Sequence, residues 1–250
     1  MDFTAYTNQG SREYNEDNYG IAEHGDSMCF VLADGLGGHG GGDIASKTAV
    51  SVVCEIFENK GFSNTFFDDA FKAAQRAIFD EQDKAHSPSK MKTTLCILVI
   101  ADGTAHYAHV GDSRIYILKS NKIKKRTIDH SVPQMLALSG EIKDSDIRHH
   151  PDRSRLMRVM GVRGEEPRCE IGKPIKLGGT MSFLLCSDGY WELVEDKDIE
   201  NCCAGSESPE EWVKKMNQIV VKNGAGTDMD NYSVVAVYVK TKGFFVRKVL

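Results

Sequence analysis

Between Thr94 and Asn121 three runs rich in β-branched and aromatic residues, TLCILVIADG, TAHYAHVGD and SRIYILKSN, follow one another through the tight turns ADGT and GDS. Parallel neighbours need a crossover of a dozen or more residues. The spacing therefore excludes βαβ units here and predicts an antiparallel meander. Three further runs, SMCFVLAD (27–34), TMSFLLCSD (180–188) and YSVVAVYVK (232–240), have the same character and are bounded by Gly, Asp or Asn.

Ahead of the meander the period changes. From Asp43 to Phe57, Ile44, Thr48, Val52 and Ile56 recur every four residues; from Thr65 to Phe79, Phe66, Ala70, Ala73, Ala77 and Ile78 form a second apolar stripe. A third helix is expected over Glu210–Val221, with Ser208 as cap, Pro209 at N1 and two glutamates at the positive end. With no Pro- or Ser-rich linker and no repeat, the 250 residues read as one domain of layered, α+β type. The segment from about His130 to Lys173, dense in Arg, His and Asp, reads as a surface excursion between two core strands.

The net charge of -5 gives no support for nonspecific binding to nucleic acid or to an anionic membrane. The opening MDFTAYTNQG has neither the basic region nor the apolar run of a signal peptide. The longest apolar runs are too short to span a bilayer. Seven cysteines, an odd number without metal-like or disulfide-like spacing, read as reduced thiols of a cytoplasmic protein.

Four aspartates stand at strand ends. Asp34 follows CFVLA, Asp112 follows AHVG, Asp188 follows FLLCS, and Asp230 precedes the last strand by two residues. Singly, each is an ordinary turn or cap residue. Together they would repel, and a hard divalent cation with oxygen ligands is the usual compensation; Asp ligands without a His- or Cys-rich set favour Mg²⁺ or Mn²⁺ over Zn²⁺. In ADGLGGHGGG the absence of a side chain on Gly35 lets its carbonyl approach a metal that Asp34 also binds. A nucleotide cradle fits less well: the Walker Gly-Lys-Ser/Thr ending is missing, and the acid precedes the glycines instead of lying on a later parallel strand. Upstream, GSREYNEDNYG supplies Arg12 as a candidate phosphate clamp and Glu16 and Asp17 as holders of metal waters; read alone it is a charged surface turn.

Taken in order, SREYNEDNYG, ADGLGGHGGG, KTTL, HVGDSRIY, IDHS, RLMRVMG, LLCSDGYWE and DMDNYSVVAV resemble the PP2C-type (PPM family) metal-dependent serine/threonine protein phosphatases, in particular their compact bacterial members. The resemblance implies a β-sandwich of two antiparallel sheets flanked by helices, with a binuclear Mn²⁺ or Mg²⁺ centre at one end. By it, Asp34 bridges two metals, Gly35 offers its carbonyl to one, Asp188 and Asp230 complete the other, and Asp112 with Asp188 helps hold a third, weaker metal seen in some members. Arg12 binds the substrate phosphate, and Glu16 and Asp17 lie near the metal waters. The implied reaction is attack of a metal-activated water on phosphoserine or phosphothreonine in proteins, without a phosphoenzyme.

The sequence departs from the family pattern in places. Eukaryotic relatives carry a histidine directly after the Asp-Gly pair as general acid; here that position is Leu36, and His39 lies three residues further on. Lys92 stands where Gly commonly precedes the two threonines, Tyr190 replaces a common Leu, and Val159 and Met160 replace Ala-Leu. None of these removes an implied metal ligand, so an active enzyme is expected. The stretch from His130 to Gly161 corresponds to a flap beside the active site. Its His149, His150, Arg153 and Arg155 would attract phosphorylated or acidic peptides, or be no more than a solvated loop. Phosphorylated proteins and a separate serine/threonine kinase are the expected partners of a monomer. The alternatives are a phosphatase of small phosphorylated molecules and a noncatalytic phosphoprotein-binding module on the same fold.

Overall fold

In a computed structural model, residues 1–37, 41–87, 90–164 and 168–240 are described. The strands are β1 (Asp2–Asn8), β2 (Asp17–His24), β3 (Ser27–Leu36), β4 (Lys92–Thr93), β5 (Leu95–Ala101), β6 (Thr104–Val110), β7 (Arg114–Lys119), β8 (Lys122–Arg126), β9 (Glu170–Ile171), β10 (Ile175–Lys176), β11 (Thr180–Cys186) and β12 (Tyr232–Lys240). The α-helices are α1 (Gly42–Lys60), α2 (Phe66–Lys84), α3 (Val132–Ser139), α4 (Asp188–Trp191), α5 (Asp196–Ala204) and α6 (Pro209–Gly224). A 3₁₀ turn covers Asp144–His149.

The near-continuous apolar runs arise because both faces of each central strand are covered. On β3, Cys29, Val31 and Ala33 pack with α1 and α2, while Met28, Phe30 and Leu32 face the other way, into the layer between the sheets. On β12, Val234, Ala236 and Tyr238 pack with Trp212, Val213 and Met216 of α6, and Val235, Val237 and Val239 fill the same central layer. Period-2 alternation thus assigns each strand's side chains to two cores, and the stack is helix, sheet, sheet, helix.

One sheet runs β1-β12-β11-β7-β8; the other runs β10-β6-β5-β3-β2, with β4 on β3 and β9 on β6. Every ladder is antiparallel. The two sheets and flanking helices are those the family resemblance implies. Of the two pairings in the predicted meander, one forms. β5 and β6 pair, but β7 leaves for the other sheet, where it joins β11 and β8. The turn read as a hairpin is a corner: Gly111 has φ +102°, and a Cβ there would lie 2.5 Å from the Thr94 side chain. Composition does not distinguish a strand that returns to its own sheet from one that crosses to the next.

The three predicted helices are present and somewhat longer than expected. At α6, Pro209 occupies N1 and Ser208 Oγ accepts from Glu211 N at 3.2 Å. The stretch after His130 forms α3, the 3₁₀ turn and irregular chain, closed on itself by the bridge Ser131–Leu156 and tied to the body by Thr93–Met160. Among the described residues, no helix is long and apolar enough to cross a membrane. All seven cysteines are free thiols.

Candidate metal centre

Antiparallel pairing brings the ends of β3, β6 and β11 and the starts of β2 and β12 to one end of the sandwich, which gathers the acids foreseen in the sequence. Asp17 and Asp34 are direct partners across the β2–β3 ladder. Asp112 occupies the sheet-crossing corner between β6 and β7. Asp188 opens α4 immediately after β11, and Asp230 stands ahead of β12. Arg12, Glu16, Asp34, Gly35, Leu36, Ser154, Asp188 and Asp230 line a cavity of about 370 Å³. A neighbouring cavity of about 530 Å³ shares Arg12, Ser154, Asp188 and Asp230 and adds Arg148, His149 and Arg153. A larger pocket of about 710 Å³ lies elsewhere, between β1 and α6, and none of the clustered acids reaches it.

Rigid elements hold the cluster. The Asp34 amide donates to Thr94 Oγ1 at 2.9 Å, and its carbonyl accepts from Thr93 Oγ1 at 2.9 Å and Thr94 N at 2.8 Å. Lys92, ahead of those threonines, pairs with Leu36 and does not need the positive φ that glycine would permit. Gly35 is wedged: a Cβ would lie 2.3 Å from the Gly42 carbonyl oxygen and 2.6 Å from that of Glu16. Asn231 fixes the preceding loop, accepting from Glu16 N at 2.8 Å and donating to the carbonyls of Gln9 and Tyr14 at 2.9 Å each.

Not every foreseen residue sits in the cavity. Asp17 is buried behind it, where its Oδ2 accepts from Ser187 Oγ at 2.7 Å. Asp112 is buried as well, and its main-chain carbonyl accepts from Trp191 Nε1 at 3.0 Å. Glu16 reaches the cavity wall, and its Oε1 accepts from Gly42 N at the start of α1 at 3.2 Å. Arg12 is half-exposed and forks onto Asp230, at 3.1 Å to Oδ1 and 2.9 Å to Oδ2. His39, three residues beyond Leu36, lies outside the described residues together with Gly38 and Gly40.

The electrostatics are those of a site with too much negative charge. Burial, reinforced by Asp188 and Asp230, pushes Asp17 up to about 7 against the pull of two serine hydroxyls. Burial and the neighbouring Asp230 and Glu192 push Asp188 to about 7. Burial followed by repulsion from the other aspartates holds Asp34 and Asp112 well above the carboxylate range. Asp17 Oδ1 is buried with no hydrogen-bond partner among the described residues. An all-oxygen donor set, an orphaned carboxylate oxygen and mutually repelling acids are what a hard divalent cation satisfies, so the residues present fit such an ion.

Sequence reasoning missed a supporting set. Ser187 bridges the sheets, donating to Asp17 and accepting from Ser233 N at 2.9 Å. Arg114 is buried in a fork onto Asp129, at 2.9 and 2.7 Å, and stacks 3.4 Å from the centre of the Trp191 ring, the same ring that holds the Asp112 carbonyl. The arginine in GDSR and the aspartate in IDHS were visible as motif letters, but their pairing across 15 residues was not.

Residues 6–231 match the family described as Protein phosphatase 2C. A curated relative, the serine/threonine phosphatase stp of Listeria welshimeri, is 30% identical over 233 residues, covering 90% of each chain. Among solved structures, a bacterial serine phosphatase superposes with a TM-score of 0.86 at 25% identity, over 97% of this chain and 99% of the other. The catalytic domain of PstP, solved in complex with two manganese ions, superposes with a TM-score of 0.79 at 24% identity, over 95% of this chain and 98% of its own.

Proposed function

The chain belongs to the protein phosphatase 2C family and is a metal-dependent serine/threonine protein phosphatase, and from that premise we propose how its own residues divide the work. Asp34, the Gly35 carbonyl, Asp188 and Asp230 would hold Mn²⁺ or Mg²⁺, two ions by the family resemblance. Asp112 and Asp188 frame a third, weaker site. Bound there, divalent cations supply Lewis acidity, which acidifies water and neutralises phosphoryl charge. The observation that carries this reading is the convergence of Asp34, Gly35, Asp188 and Asp230 on one cavity, with a buried Asp17 behind it whose Oδ1 has no hydrogen-bond partner among the described residues.

The remaining roles follow from position. Arg12 is half-exposed at the mouth of both cavities, and its pairing with Asp230 is a surface ion pair of little intrinsic strength. It exchanges the carboxylate for phosphoryl oxygens, which the same planar fork fits. Glu16 and Asp17 orient water from the cavity wall and from behind it. Thr93 and Thr94 lock the main chain of Asp34, and Asn231 locks that of Glu16. Leu36 lines the cavity and offers no proton, so the leaving alkoxide takes its proton from water. We assign the chain as a monomer that acts in the cytoplasm, where seven free thiols are stable, on phosphoproteins made by a separate kinase.

The test is hydrolysis of p-nitrophenyl phosphate and of a phosphothreonine peptide with Mn²⁺, Mg²⁺ or EDTA, in wild type beside Asp188→Asn. Turnover is expected with a divalent cation and is expected to vanish in EDTA and in the variant. Equal rates under all these conditions would sink the proposal.

A further inference from the structure

Away from the acids, a second cluster has a different donor chemistry. His109 on β6 and Glu170 on β9 are direct cross-strand partners, so both side chains stand on one face of the sheet. By the alternation along β6 this is the face of Tyr107, which looks toward the other sheet. His130, at the root of the excursion, stacks on His109 with ring centroids 4.7 Å apart and planes 13° apart. Its Nε2 lies 3.8 Å from a Glu170 carboxylate oxygen. One ligand atom from each of the three residues falls within 4.8 Å of the others.

Two ring nitrogens of this cluster, His109 Nδ1 and His130 Nε2, are buried without a hydrogen-bond partner among the described residues, and the Glu170 main chain lies close to the His109 ring. His109 and His130 are only 1% and 8% exposed, so water does not freely satisfy them. For His109 the tautomer follows from geometry. Its Nε2 lies 2.8 Å from the Ile128 carbonyl, which can only accept, so the proton is on Nε2 and Nδ1 presents a bare lone pair. A ring nitrogen donating to a carbonyl while the other is left free is how metal-ligating histidines are usually oriented.

We infer that His109 Nδ1, His130 Nε2 and the Glu170 carboxylate form a second cation site, separate from the acid cluster, that takes a borderline transition-metal ion of the Zn²⁺ class. Two imidazoles and one carboxylate make a three-ligand set typical of zinc, with a fourth position left to water. The chemistry sorts the two sites: hard Mg²⁺ goes to the all-oxygen acids, and Zn²⁺ to the nitrogen donors. Burial holds both imidazoles below their ordinary titration range, so they are neutral near pH 7 and no proton must be expelled from a cationic ring.

Closure requires three adjustments, the first that the near-parallel His109 and His130 rings tilt so that their in-plane lone pairs meet. Glu170 is half-exposed and free to swing inward from the solvent side. His130 Nδ1 accepts from Gly111 N at 3.2 Å, so Nε2 carries the ring proton before a metal arrives. Ligation moves that proton to Nδ1 and breaks the Gly111 contact. The adjustment reaches Gly111, the residue before Asp112.

The experiment is Zn²⁺ uptake measured against a chromophoric chelator, with Mg²⁺ saturating throughout to fill the acid cluster. Wild type, Glu170→Gln, His130→Gln and Asp188→Asn are compared after each is shown to fold by circular dichroism. Wild type and Asp188→Asn are expected to bind one Zn²⁺ alike. Each change at Glu170 or His130 should weaken uptake by about tenfold or more. The surface change Glu170→Gln keeps the test available should His130→Gln fail to fold. Unchanged uptake in Glu170→Gln, loss of uptake in Asp188→Asn, or no uptake by wild type would overturn the inference.

Discussion

Asp17 faces Asp34 directly across the β2–β3 ladder, and the hydroxyl that steadies Asp17 comes from Ser187 in the opposite sheet, 2.7 Å away. Like charges opposed on adjacent strands destabilise a sheet. Ser187→Ala leaves an Asp17 oxygen and the Ser233 amide short of a partner in a buried setting. The expected cost is about 1–3 kcal/mol of stability, read as a drop in the denaturant midpoint at unchanged slope. Divalent-cation affinity should fall by roughly 10–100-fold, the usual effect of losing an outer hydrogen-bond partner. Unaltered cation affinity would show that Asp17 does not support the centre.

Chelation should make stability depend on pH in a definite direction. Asp17, Asp34, Asp112 and Asp188 are all raised in the folded chain, so the native state keeps protons that the unfolded state has released. Stability of the metal-free protein therefore falls as pH rises through these raised values. His109 and His130 are lowered and act in the opposite sense, but only below their ordinary value near 6.5. Between pH 6.5 and 8 the Tm in EDTA should decline, while Mg²⁺ or Mn²⁺ raises Tm by an increment that grows with pH. A flat EDTA profile over that window would contradict the clustered-acid electrostatics.

Arg12→Ala separates substrate binding from fold. The Arg12–Asp230 pair is half-exposed on both sides, so its loss should change stability by less than about 1 kcal/mol. KM for a phosphopeptide is expected to rise, and cation affinity is not expected to weaken, since Asp230 is released from a competing positive charge. A variant with wild-type KM and kcat would remove Arg12 from phosphate recognition.

Gly35→Ala tests the close approach at the end of β3. The new Cβ would meet two main-chain oxygens, of Gly42 and Glu16, neither on a flexible side chain. A loss of about 1–3 kcal/mol is expected from overpacking, together with reduced turnover as the start of α1 shifts from the cavity. Full activity at unchanged Tm would refute the steric account.

Legibility in the sequence followed burial. β3, β5, β11 and β12 were readable because both faces are covered, which forces unbroken apolar runs such as CFVLA and VVAVYV. β1 was missed because DFTAYTN lies at a sheet edge and keeps every residue at least partly exposed. β8, spelled KIKKR, is an edge strand whose lysines guard it against further pairing. The acids were legible because each ends or precedes a visible strand. Their supporting hydroxyls were not: Ser187, Thr94 and Ser233 act through partners as many as 226 residues away, and no local pattern marks a serine that bonds across a sandwich.

The strand synthesised last among the described elements, β12, lies between β1 and β11, and Asp230 immediately precedes it. β1, the earliest of these elements, has no other neighbour among the described strands of its sheet, with Asp2 opposite Tyr238. A growing chain therefore carries an unpaired first strand and an incomplete ring of acids until nearly the whole domain has left the ribosome. Such long sequence separation slows folding, but it also means that no chain ending before Asp230 presents all of the acids. A chain cut short of that residue is expected to be silent toward phosphoproteins.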